Sequence, residues 1–116
     1  MKLVHITIQT KRFEDEINFY KKYAGLRILR ELNTGSRIAF LANKEGDTEV
    51  EIIDNLVAEE IYNSNISIGY QADDLDAIHK RLTDDGFQPG EFISPIPQVR
   101  FFFVKSPSGI SVQFIN

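Results

Sequence analysis

The feature that most constrains this chain is a pattern of elements that occurs twice. From residue 3 to residue 9 apolar and polar residues alternate. That predicts a strand with Val4, Ile6 and Ile8 on one face and His5, Thr7 and Gln9 on the other. A helix is expected over about residues 11–23, with Phe13, Ile17, Tyr20 and Ala24 on one side. Thr10 or Lys11 opens it, and Gly25 closes it as a left-handed cap. Three short strands follow, at 26–32, 37–43 and 48–54, separated by turn-forming residues. The order then repeats. Residues 65–72 read as a strand, and 73–85 as a helix with Leu75, Ile78 and Leu82 on one side. Asp73 and Asp74 supply its N-cap and Gly86 its end. Strands are expected at 87–93, 99–105 and 110–115, the last two joined as a hairpin across Ser106-Pro107-Ser108-Gly109. Residues 94–98, with Pro95 and Pro97, read as a loop.

Each half is therefore strand, helix, three strands. A parallel α/β sheet needs a crossover between successive strands, so this order predicts an α+β fold instead. The 116 residues suit one domain. Its first module covers about 1–54, its linker about 55–64 and its second module about 65–116. Seventeen acidic side chains against thirteen basic ones leave a net charge of −4, the wrong sign for a nucleic-acid protein. No run of 18 apolar residues offers a membrane span. The first residues do not read as a charged-then-apolar leader, so the cytoplasm is the expected location. Cys is absent, which removes disulfides, thiolate metal sites and a cysteine nucleophile from consideration.

Three stretches carry a resemblance. The first is Val4-His5-Ile6-Thr7-Ile8, with Phe19-Tyr20 and then Gly25-Leu26 downstream; the second is Gly69-Tyr70-Gln71-Ala72-Asp73-Asp74-Leu75-Asp76. The third is Phe103-Val104-Lys105-Ser106-Pro107-Ser108-Gly109. In order and spacing they resemble the vicinal oxygen chelate superfamily of glyoxalase I, bleomycin-resistance proteins, fosfomycin-resistance proteins and extradiol dioxygenases. The resemblance implies two βαβββ modules forming a cupped mixed sheet with helices outside, and a small molecule held in the cup. It also implies a homodimer. The superfamily takes its divalent-metal ligands from the first and fourth strands of each half, which here places His5, Glu51, Ser67 and Gln113 at those positions. His5 and Ser67 are 62 residues apart, as are Glu51 and Gln113. An even offset preserves strand parity, so equivalent residues face the same side.

Ser67 stands where an imidazole is usual, and a neutral hydroxyl is a poor ligand for Zn, Ni, Fe or Mn. Gln113 stands where a carboxylate is usual, and an amide cannot act as a general base at neutral pH. The expectation is a small-molecule binding protein without an essential metal. The alternative is a metal-dependent lyase or isomerase of the lactoylglutathione lyase type, with His5, Glu51 and Gln113 as ligands and Glu51 as the catalytic proton-transfer group. Phe102 is expected to line the ligand site if it points away from Phe101 and Phe103. Arg37 and Arg100, at the starts of matching strands, could meet a carboxylate or phosphate on a ligand or lie on the surface. Bland readings stand beside these. His5 could be a hydrogen-bonded structural residue, and Glu51 a solvent-facing one like Glu49. His79 reads as solvated, and Asp73, Asp74 and Asp76 as helix-capping charges. The 94–98 loop reads as a rim over the ligand.

Overall fold

A computed structural model describes residues 1–61 and 65–116. The chain forms two compact units, Met1–Glu60 and Ile61–Asn116. The expected linker ends in Tyr62, Asn63 and Ser64, which lie outside the described residues.

The first unit contains β1 (His5–Thr10), α1 (Phe13–Tyr23), β2 (Arg27–Asn33), β3 (Arg37–Ala42) and β4 (Glu49–Asp54). The strands form one sheet in the order β1-β4-β3-β2. β1 runs parallel to β4, and the remaining pairs are antiparallel. The alternation read from the sequence decides the faces. Ile8, Ala39, Leu41, Val50 and Ile52 are buried on one side, and α1 buries Phe13, Ile17 and Tyr20. Glu14, Asp15 and Glu16 in the first turn and Lys21 and Lys22 in the last suit the helix dipole. Arg12, not Thr10 or Lys11, takes the N-cap position, and the Thr10 hydroxyl accepts from the Arg12 amide at 2.9 Å. Gly25 adopts φ +68°, the left-handed conformation that ends the helix, and the Leu26 amide then donates to the Tyr20 carbonyl at 3.1 Å.

The second unit repeats the plan with β5 (Ser67–Gln71), α2 (Leu75–Asp84), β6 (Ile93–Ile96), β7 (Val99–Lys105) and β8 (Ser111–Ile115). Its sheet order is β5-β8-β7-β6, with β5 parallel to β8. The Asp74 side chain caps α2 by accepting from the Ala77 amide at 3.0 Å. Two expectations for this unit need correction. Residues 87–92 do not form a strand; the strand is β6, which begins at the last residue of the expected strand and runs into the segment read as a loop. Pro95 is tolerated there because β6 is an edge strand, where a missing N–H costs no ladder bond, and the pairing with β7 is interrupted between Ile93 and Ile96. His79 is half-buried rather than free in solvent. Its ring stacks on Phe92 at 4.8 Å and meets Phe102 edge-on at 4.9 Å, and its Nε2 lies 3.0 Å from the Gly90 carbonyl.

Candidate functional site

Strand pairing places four of the expected site residues, His5, Glu51, Ser67 and Gln113, on the sheet faces away from the helices. In the first unit Thr7 pairs with Glu51, Glu51 with Phe40, and Phe40 with Arg30, so one row crosses all four strands. His5 and its partner Glu49 lie one step along the same face. The Thr7 hydroxyl donates to Glu51 Oε1 at 2.5 Å, and His5 Nε2 is 3.6 Å from that same oxygen. His5 keeps 41% of its side chain exposed, and Glu51 keeps 14%. Arg30 reaches across Phe40, 4.0 Å from its ring, and donates two hydrogen bonds to Glu49, at 2.6 and 2.9 Å. Those bonds raise the Arg30 pKa above its usual range against the opposing effect of burial, and the charges of Glu49, Glu45 and Glu51 add to the rise. The aromatic Phe40 is buried on this polar face because the guanidinium covers it.

The second unit carries the matching row. Gly69 pairs with Gln113, and Gln113 with Phe103. Thr7, Glu51 and Phe40 are thus answered by Gly69, Gln113 and Phe103. The absent side chain at Gly69 leaves room for the amide, since a Cβ there would come within 3.1 Å of Gln113 Oε1. Ser67 is exposed one step along that face, paired with Ser111. Phe101 and Phe103 share the face, half-buried, with ring centroids 5.6 Å apart.

Three expected ligand-contacting residues are placed elsewhere. Phe102 has opposite parity to Phe101 and Phe103. It is fully buried, within ring contact of His79, Phe92 and Phe114. Arg37 lies on the α1 side of its sheet, paired with Glu14 at 2.7 Å and set over the Phe13 ring at 4.6 Å. It lines a surface pocket of about 290 Å³ with Lys11, Phe13, Asp54 and Leu56, on the opposite face from Glu51. Arg100 holds the matching place in the second unit, with two bonds to Asp76 at 3.0 and 2.7 Å and the Phe92 ring 3.7 Å away. Each arginine ties a strand start to the second residue of its unit's helix. Thr7, Arg30, Phe40, Gly69 and Phe103 share these faces and are not among the residues expected from the sequence. Strand parity with the 62-residue offset points to Thr7 and Gly69, whereas that offset carries Phe40 to the oppositely facing Phe102 and not to Phe103; Arg30 follows a bulge in β2 that hides its register.

Each unit is a β-α-β-β-β module with polar residues of its outer parallel pair facing away from its helix, a repeated-module α+β class. The family model for the Glyoxalase/Bleomycin resistance protein/Dioxygenase superfamily matches residues 2–114, and the chain belongs to that family. Solved structures of similar fold include the trypanothione-dependent glyoxalase I of Leishmania major. It has a TM-score of 0.85 at 16% identity, over 100% of this chain and 86% of that one. A glyoxalase family protein from Enterococcus faecalis gives 0.76 at 16% identity, over 99% and 97% of the two chains. Lactoylglutathione lyase from Agrobacterium tumefaciens gives 0.67 at 16% identity, over 98% and 92%. At such identities the likeness is one of fold. A search of curated protein sequences found no match. Among the described residues no helix is long and apolar enough to cross a membrane.

Proposed function

We propose that the protein binds a small organic molecule against the sheet faces that carry His5, Glu51, Ser67 and Gln113, without an essential metal. The observation that supports this reading is how the row changes across the repeat. Glu51 becomes Gln113 and His5 becomes Ser67, while the aromatic member stays, as Phe40 and Phe103. What remains is the half-buried Phe103 ring with a few hydrogen-bonding groups, the kind of make-up an organic ligand site uses, while Phe40 is covered by Arg30. The donor set does not fit a tightly held catalytic metal. The first unit offers one imidazole and one carboxylate on this face, because Glu49 is occupied by Arg30. The second offers a hydroxyl and an amide. Among the described residues no group of three or more His, Asp or Glu side chains could hold a metal ion. In this reading the whole chain acts as one cytoplasmic glyoxalase-like domain. It works as a homodimer and does not engage nucleic acid or membrane. Exposed apolar side chains at Leu3, Val4 and Ile66 support a partner surface.

The test is metal content after dialysis against EDTA, followed by a ligand screen by thermal shift. The expected result is protein without stoichiometric metal, and a stabilising ligand whose effect falls in His5→Ala and Gln113→Ala. Stoichiometric metal that is retained in the wild type and lost in Glu51→Ala would overturn the reading.

One observation favours a second reading as a metal-dependent lyase or isomerase. His5 Nε2 and Glu51 Oε1, 3.6 Å apart, could both reach one divalent ion. His5, Glu51 and Gln113 would then hold Zn, Ni, Fe or Mn, which supplies Lewis acidity, and Glu51 would carry the substrate proton. Hemithioacetal isomerisation on addition of Ni or Zn is its assay, and no turnover with either ion sinks it.

A further inference from the structure

The sheet faces away from the helices differ in what they leave open. In the first unit the polar groups are met from within: Arg30 forks onto Glu49, and Thr7 and His5 close on Glu51. In the second unit, among the described residues, the side chains of Ser67, Lys105 and Gln113 make no hydrogen bond or ion pair. Paired residues share a face, so this face is graded along its strands. Ser67, Ser111 and Lys105 form the row at one end. Gly69, Gln113 and Phe103 form the next, and Gln71, Ile115, Phe101 and Ile93 the third. Successive rows are two residues apart, about 6.7 Å. Lys105 is exposed and is the single charged side chain in the three rows. Acidic side chains outnumber basic ones by seventeen to thirteen in the chain, yet none is brought to it. The middle row carries a half-buried amide over Gly69, where a Cβ would come within 3.1 Å of Gln113 Oε1. The far row is apolar beyond Gln71, with Ile93 46% exposed and Phe101 half-buried, its ring 5.6 Å from that of Phe103. Among the described residues no cation covers either ring. The whole arrangement lies within the second unit.

We propose that this face of the second unit takes an aromatic carboxylate, with its ring against Phe101 and Phe103 and its carboxylate at Lys105, a short alkyl chain apart. This rests on the metal-free reading above, since it names the ligand class for part of the same faces. Recognition is by a charge-assisted hydrogen bond from the Lys105 ammonium to the carboxylate, with the ligand ring packed on the aromatic pair. The row spacing sets the distance between the two ends, and the Gln113 amide lies between them.

The experiment uses 3-phenylpropionate as the probe and 3-phenylpropan-1-ol as its uncharged counterpart, titrated into 15N-labelled full-length protein. The protein is first checked for metal after EDTA treatment. The expected result is that the acid shifts amide signals in β7 and β8 and binds roughly fivefold more tightly than the alcohol, the effect of a partly screened ion pair. Lys105 is exposed, so Lys105→Gln keeps the fold; it removes the preference for the acid, and Lys105→Glu reverses it. Phe103→Ala weakens acid and alcohol alike. Equal affinity for the two in the wild type overturns the proposal whether or not the variants fold, and so does the absence of binding by either. A preference for the acid that survives in Lys105→Gln, or shifts confined to Thr7 and Glu51, overturns it as well. Metal that survives EDTA counts against the metal-free reading instead, and the Lys105→Gln comparison still decides this inference. Metal-free protein that ignores the acid's charge counts against this inference alone.

Discussion

Replacing Phe102 with alanine removes a ring that no water reaches. Full burial of a Phe side chain contributes about 1.5–3 kcal/mol by transfer alone. The remaining cost depends on whether the surroundings can collapse into the space. Around Phe102 they are held by other contacts. Phe92 lies under the Arg100 guanidinium, His79 is fixed to the Gly90 carbonyl, and Phe114 is part of the β8 ladder. A cavity therefore persists, and the total loss should be about 3–5 kcal/mol. Phe103→Ala is the control, one residue away on the same strand. Phe103 is half-buried on the opposite face, so about half the transfer value, roughly 1–1.5 kcal/mol, is expected. The chain has no Trp, so urea unfolding is followed by far-ultraviolet circular dichroism. With a slope of about 1–3 kcal/mol per molar urea, Phe102→Ala should lower the midpoint by on the order of 2 M. Phe103→Ala should lower it by less than 1 M and weaken ligand binding instead. A loss under about 1 kcal/mol for Phe102→Ala, or a larger loss for Phe103→Ala, would refute the assignment of faces on β7.

The Arg100 hydrogen bonds hold the Asp76 carboxyl below its usual range, so the folded state binds its proton less readily than the unfolded chain. Asp76 thus stabilises above the unfolded value near 4 and loses that effect as pH falls through the folded one; thermal melts of Asp76→Asn should show a shallower acid limb, with the difference shrinking in high salt. Gly86 and Gly109 share φ near +90°, but a Cβ on Gly86 meets open space while one on Gly109 would run into the Ile61 carbonyl oxygen. Gly86→Ala should cost about 1–2 kcal/mol from its backbone alone, and Gly109→Ala should cost clearly more; equal urea midpoints for the two variants would disprove the contact. Removing the imidazole in His79→Ala should speed amide hydrogen exchange in residues 88–93 several-fold while leaving β8 protected, because the Gly90 carbonyl loses its partner.

Much of the fold was legible because its signals are local. Period-two alternation marked β1, β4 and β8, the Asp74 cap marked the start of α2, and Gly25 and Gly86 marked where helices stop. The misreadings arose where non-local packing decides. Residues 87–92 have enough apolar character for a strand, yet Phe92 is drawn toward His79 and Arg100. The Gly90 amide makes a bond of 2.8 Å to the Phe103 carbonyl without a continuous ladder. Pro95 argues against a strand in isolation, but only an interior strand excludes it, and edge position is invisible to local pattern. His79 was read as solvated from its charged neighbours Lys80 and Arg81. Its ring is instead covered by aromatic residues from the segment before β6 and from β7.

The site was legible to the extent that parity reveals a face. Parity put His5, Thr7 and Glu51 together, and Ser67 with Gln113 on the other sheet. It does not say which face of a strand the helix covers, so from sequence Phe102, Arg37 and Arg100 stay open between a ligand contact and another role. Once α1 is placed by Phe13 and Glu14, and α2 by Asp76 and His79, all three belong to the helix side. The two rows on the opposite faces can then be compared position by position. Both are built by the same register, a parallel pair flanked by an antiparallel one. A threonine and a carboxylate in the first are a glycine and an amide in the second, and both sheets form. The polar identities in these rows are therefore not a demand of the strand pairing. The aromatic member, kept as Phe40 and Phe103, rests on one side under an arginine and on the other against Phe101. The two rows thus differ in charge and hydrogen-bonding groups while the pairing that carries them is the same.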